Sequence, residues 1–138
     1  MDLLIFKTNL YLSMVNTLIY SSGYSIQKAD SSKAVKINSA GNDSTQYELI
    51  VFEPGYESYL ISQPSMEYYS ESYYKTWNTL YVSEWNTRFT SNAFSGLYEN
   101  YIDYDPKIEY GIKLEYQLYY FFRYFEKTNN VVLIPRGK

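Results

Sequence analysis

Six aromatic residues, Tyr69, Tyr73, Trp77, Tyr81, Trp85 and Phe89, recur at every fourth position, and this spacing constrains the fold more than any other feature of the chain. A step of four is close to the 3.6-residue turn of an α-helix, so the stretch reads as one long helix. Pro64 and Ser65 open it and Phe89 lies near its end. Proline is tolerated in a first turn, and Glu67 suits the positive end of the helix. At 100° per residue each step of four drifts by about 40°, so the ladder winds around the helix instead of marking one face. Part of it must be buried and part presented to a neighbour or to solvent. Tyr73, Trp77, Tyr81 and Trp85 are therefore the candidate binding residues, with ordinary core packing as the competing reading.

Most of these rings are phenols: 19 of the 138 residues are Tyr. Tyrosine buries a large ring but keeps a hydroxyl that needs a partner, so a tyrosine core has wet edges and leaves rings for the surface. Such a surface suits recognition, because Tyr is enriched where proteins touch partners. The chain holds no Cys and no His. That excludes disulfides, thiol nucleophiles, thiolate or imidazole metal sites and histidine-based triads. A net charge of −3 with no basic footprint argues against nucleic acid as the main ligand. No cofactor is expected, since the glycines are scattered singly and form no phosphate-binding loop.

The length suits one domain with a modest core. Tyr47-Glu48-Leu49-Ile50-Val51-Phe52 is a β-branched and aromatic run that reads as a strand. In Glu53-Pro54-Gly55, proline presets the first central position of a turn and glycine accepts a positive φ at the second. Residues 56–62 form a second short element, strand or helical turn. After a break at Thr90 to Ser95, residues 97–102 read as a short helix. Asp105-Pro106 is a helix start signal. From Ile108 to Leu118 apolar residues alternate with polar ones, as in a strand. Leu114, Leu118, Phe121, Phe122 and Phe125 instead follow the helical period, and the segment is too long for an ordinary strand. The expectation is a central, buried helix over residues 112–127. Val131 to Ile134 then reads as a closing strand. Strands at the two ends of the domain, 47–135, pair in one short sheet beside the helices, which makes the fold class α+β, a small and mostly helical single domain.

Two segments precede that domain. The apolar run of residues 1–22 is too short to span a bilayer but long enough for a signal-peptide core; a hydrophobic helix packing on the domain is the alternative. It ends at Ile19-Tyr20-Ser21-Ser22-Gly23, which looks like a bacterial lipoprotein cleavage site with serine at the position of the lipid-acceptor cysteine. Serine cannot form the thioether, so Ser22 marks a degenerate acceptor. Residues 23–46 are polar and read as a flexible tether.

Carboxylates are the one catalytic currency left. Glu53 and Glu57 flank the first turn, and Asp103 and Asp105 precede the last helix with Glu109. A glycosidase needs two carboxylates placed across a cleft, whereas capping and turn roles are the ordinary use of such acids. Calcium at Asp103 and Asp105 lacks the further ligands and the glycine of a proper loop, so no metal site is expected.

The run from Tyr47 to Tyr56, with Ser62-Gln63-Pro64-Ser65-Met66-Glu67-Tyr68-Tyr69 and Tyr101-Ile102-Asp103-Tyr104-Asp105-Pro106, resembles an uncharacterised family of small, tyrosine-rich proteins from Bacteroidota, especially Flavobacteria, many of which begin with a lipoprotein-type signal. The resemblance implies a location in the cell envelope, periplasmic or outer-membrane associated, and it implies no activity. This chain departs from the pattern at Ser22. The expected function is thus non-enzymatic docking on a protein partner in the bacterial envelope, with no transmembrane span in the domain. A carbohydrate-binding module with a glycan partner is the alternative, and a small carboxylate-dependent hydrolase the third reading. Without a signal, the location is cytoplasmic.

Overall fold

The computed structural model describes residues 34–39, 46–94 and 96–137, all within the unit Ser32–Lys138. The signal-like segment 1–22, with Ser22, and the tether residues 23–33 and 40–45 lie outside the described residues. Two short strands, β1 (Val35–Ser39) and β2 (Tyr47–Val51), are followed by helices α1 (Tyr56–Ile61), α2 (Glu71–Thr90) and α3 (Ile112–Asn129). The class is α+β, mostly helical with one two-stranded antiparallel sheet.

The strand that faces β2 is not the expected one. Val35–Ser39, inside the segment read as a tether, pairs with β2 in the register Val35↔Val51, Ile37↔Leu49 and Ser39↔Tyr47. Its Val-Lys-Ile alternation has the period of a half-buried strand, and Val35 is fully buried. The outer edge of β1 is held by a side chain: Asn100 donates through Nδ2 to the Val35 carbonyl at 2.9 Å and accepts the Val35 N–H at 3.5 Å. Val131–Ile134 is not a strand. Asn130 closes α3 in the left-handed conformation, φ 52°, and the chain turns back along the helix. There the Glu126 carboxylate accepts the N–H groups of Leu133 and Ile134 at 2.9 and 3.5 Å, replacing a ladder.

Pro54-Gly55 makes the expected turn, with Gly55 at φ 84°, ψ −8°, the glycine position of a type II turn. Helix α2 starts six residues later than Ser65, where the sequence pattern places its opening. Ser70 caps it, its hydroxyl accepting the Tyr73 N–H at 3.2 Å; Ser65 makes no such bond and begins only the 3-10 turn Met66–Tyr68. Residues 97–102 are irregular instead of helical. Gly96 at φ 85° turns the chain, and side chains from α2 take over the backbone bonding. Trp85 Nε1 donates to the Asn100 carbonyl at 2.7 Å, and Asn86 brackets Ile102, donating to its carbonyl at 2.9 Å and accepting its N–H at 2.8 Å. Asp105-Pro106 starts a turn, in which Asp105 accepts the Lys107 N–H at 2.9 Å, and α3 begins after it at Ile112.

Helix α3 is the central element that its apolar stripe implies. Leu114, Leu118, Phe121, Phe122 and Phe125 are buried, and all but Leu114 cluster with Tyr74, Tyr81 and Trp85 of α2 and Tyr56 of α1. Tyr81 stacks on Phe122 at 4.9 Å and Trp85 meets Phe125 edge-on at 4.7 Å, geometries that add to the gain from burial alone.

Candidate functional site

The aromatic ladder divides as its 40° drift requires. Tyr81 and Trp85 are both 0% exposed and belong to the core, whereas Tyr73 and Trp77 are half-buried at the surface. Tyr69 stacks on Tyr73 with ring centres 4.1 Å apart and planes 16° off parallel. Tyr68, 65% exposed, meets Tyr69 edge-on at 4.7 Å, and Tyr73 leads on to Trp77 at 6.4 Å and 57°. Tyr68, Tyr69, Tyr73 and Trp77 thus form a continuous strip from the 3-10 turn along the first half of α2. Leu80, exposed, extends it by one helical step. The four candidate rings do not form a flat exposed platform of the kind that stacks on sugars, because two point into the core and the planes of Tyr73 and Trp77 cross.

Arg136 covers one end of the strip. Its guanidinium carbon lies 4.0 Å from the Trp77 ring centre, 5.4 Å from Tyr119 and 6.0 Å from Tyr81. Nη2 donates to the Tyr119 hydroxyl at 2.9 Å and to the Tyr81 hydroxyl at 3.2 Å. The Tyr81 hydroxyl in turn donates to Glu126 Oε2 at 3.2 Å. Burial lowers the proton affinity of Arg136, but the two phenol oxygens outweigh it and hold the group raised. Burial and the neighbouring Tyr73 push the Tyr119 phenol up to about 12. For Tyr73 burial acts upward, yet Tyr119 and Arg136 together leave it lowered. One side of the strip is therefore an aromatic pocket built around a cation.

The acidic residues singled out by the sequence do not converge. Glu57, Asp103 and Asp105 are exposed, and Glu53 is half-buried. Burial raises Glu53, with Glu99 adding to the effect. Among the described residues, no group of three or more acids is placed to hold a metal ion. Glu109 pairs with Lys75 at 2.8 Å.

The acid that sequence reasoning missed is Glu115, which is 0% exposed. It accepts Asn78 Nδ2 at 2.7 Å and the Tyr104 hydroxyl at 3.2 Å. Burial raises its proton affinity against the opposing pull of those two donors. Asn78 also donates to the Glu115 carbonyl at 2.8 Å, and its Oδ1 is buried without a partner. In the alternation of residues 108–118 Glu115 reads as a polar outward position. On a helix it falls between Leu114 and Leu118, next to the buried stripe, and that placement was the available signal. Tyr104 separates it from an open groove of about 700 Å³ whose walls, including Thr79, Ser83, Asn86, Thr87 and Tyr101, are all uncharged. One acid behind a tyrosine lacks the second carboxylate that glycoside hydrolysis uses.

The family model described as "Family of unknown function (DUF6146)" matches residues 9–134. No curated protein and no solved structure matches the chain.

Proposed function

We propose, from the premise that the chain belongs to this family of unknown function, that the protein is a non-enzymatic docking module of the bacterial cell envelope, periplasmic or outer-membrane associated. It seats on a larger protein assembly through the tyrosine-rich strip. The observation that carries this reading is the continuous run Tyr68, Tyr69, Tyr73 and Trp77, whose rings are ordered by contact with one another while Tyr68 remains mostly in solvent. Pre-ordered aromatic rings lose little conformational freedom on binding and bury large areas, the properties of interface anchors. The envelope location rests on the apolar segment 1–22 and its degenerate lipoprotein-like end. Among the described residues no helix is long and apolar enough to cross a membrane, so any attachment of this unit through a helical span runs through a partner or through residues outside it.

The test is purification of the tagged, full-length chain from its native envelope fraction, beside a Tyr68→Ala/Tyr69→Ala variant and a Tyr101→Ala control. The reading expects the same protein to accompany wild type and the control, and to be lost from the strip variant while its far-UV spectrum shows that the fold is kept. A monomer with no companion in all three samples, or a companion indifferent to the strip, would end it.

A further inference from the structure

The pocket around Arg136 is an aromatic cage whose occupant comes from the chain itself. Its walls stand on two packed helices: Trp77 and Tyr81 on α2, Tyr119 on α3. Trp77 supplies the closest face at 4.0 Å, and the two hydroxyls below it accept from the guanidinium. Among the described residues no carboxylate lies within ion-pair distance of Arg136. The cation is thus held by ring faces and neutral oxygens, the recognition chemistry of guanidinium and alkylammonium groups. The occupant is attached far less firmly than the walls. Among the described residues Ile134 makes the last backbone bond of the segment, to Glu126 at 3.5 Å, and Pro135 has no N–H to donate. Beyond it the Arg136 side chain makes the described bonds. Its fit is also incomplete, because Nε is buried with no acceptor.

We infer that Tyr81, Tyr119 and Trp77 form a cation-recognition site for an arginine-like or alkylammonium group, and that Arg136 is a resident ligand in cis, exchangeable with a cationic side chain of the docking partner. The inference deepens the docking reading at the same strip and rests on it only for the source of the competing cation. Exchange couples the two events: when a partner's cation enters, Arg136 leaves the cage, and the Trp77 face opens to the partner. A tethered occupant acts at an effective concentration in the millimolar range, so the cage is masked toward free ligands in the intact protein and open to them once Arg136 is removed.

The experiment titrates N-acetylarginine amide and tetramethylammonium chloride into the full chain and into Arg136→Ala, with sodium chloride at matched ionic strength as the blank, and follows tryptophan fluorescence. Of the two tryptophans, Trp85 is buried among Phe and Tyr rings and Trp77 faces the cage. The expected result is a saturable change in Arg136→Ala, with wild type requiring at least about tenfold more ligand because its competent fraction is small; Arg136→Lys stays masked. A folded Arg136→Ala that shows no saturable response, or a wild type that responds as readily as the variant, overturns the inference. Should the variant fail to fold, the Arg136 Nε–H resonance of wild type decides. It moves to its free-solution position as ligand is added, and an unmoved resonance at saturating ligand overturns the inference. No partner protein enters this assay, so its outcome is separable from that of the docking test.

Discussion

Replacing Gly55 by alanine probes how the first turn is fastened to the helical core. Gly55 has φ +84°, and a Cβ built there would lie 2.7 Å from the Tyr124 hydroxyl oxygen. An L-residue in the left-handed region costs about 1–2 kcal/mol. The clash adds to this, since the Tyr124 hydroxyl donates to the Pro54 carbonyl and its ring packs on Tyr56 and Tyr59 at 6.1 and 5.2 Å. Moving the hydroxyl aside forfeits a hydrogen bond worth about 1 kcal/mol. Gly55→Ala is therefore expected to cost about 2–3 kcal/mol in urea unfolding, by the sum of those two contributions. In a Tyr124→Phe background the bond is already gone and the close oxygen is absent, so the same substitution should cost only about 1–2 kcal/mol. The cycle thus predicts a coupling of about 1 kcal/mol, larger than the scatter expected for independent sites. Additive costs would refute the claim that the turn is pinned through Tyr124. A Gly55→Ala cost below about 0.5 kcal/mol, the size of a neutral surface change, would refute the strain argument as well.

Three further outcomes follow from the same geometry. Glu115 is raised by burial, and among the groups around it Asn78, Tyr104 and Lys75 oppose the rise while Glu71 adds to it. Its contribution to stability is therefore complete below the unfolded value near 4.5 and is lost as pH rises through the higher folded value. Glu115→Gln should match wild type at pH 4 and exceed it increasingly as pH rises toward the folded value in urea titrations; a deficit that grows with pH would mean that the two donors outweigh burial. Asn100→Ala removes both bonds that hold the outer edge of β1 and should cost about 2–6 kcal/mol, at about 1–3 kcal/mol per buried group left unpaired. Faster exchange of the Val35 amide would locate the loss, and unchanged exchange would contradict it. Tyr68→Ala leaves the core untouched and should alter the melting temperature by no more than an ordinary surface change, about 0.5 kcal/mol in stability.

Residues whose role follows from periodicity or from a local turn rule are legible in the amino-acid sequence alone. The stripe Leu114, Leu118, Phe121, Phe122 and Phe125 predicts a buried helix and lies on one, because burial of a continuous apolar face dominates the local energy. Pro54-Gly55 predicts its turn because only glycine takes that φ cheaply. The drift of the four-residue ladder predicts a division between core and surface without saying which rings go where; that depends on where α3 lies against α2. The elements that differ from expectation are those decided by distant side chains. Residues 97–102 lose their helix to Trp85 and Asn86, and β1 gains its outer partner from Asn100, 65 positions away. Val131–Ile134 has strand composition, but a carboxylate of the last turns of α3 supplies its acceptors. The Arg136 cage joins residues 77, 81, 119 and 136, and no local pattern brings them together.

A photo-crosslinking amino acid installed at Tyr68, and in parallel at the exposed Lys107 on the Asp105–Ile108 turn, probes the docking surface in living cells. If the strip is the docking surface, irradiation converts the Tyr68 derivative into one discrete adduct with a single partner and leaves the Lys107 derivative unreacted. Adducts of equal yield and variety at both positions, or none at Tyr68 in cells where the chain is abundant and folded, would show that these rings meet no partner and serve the fold alone.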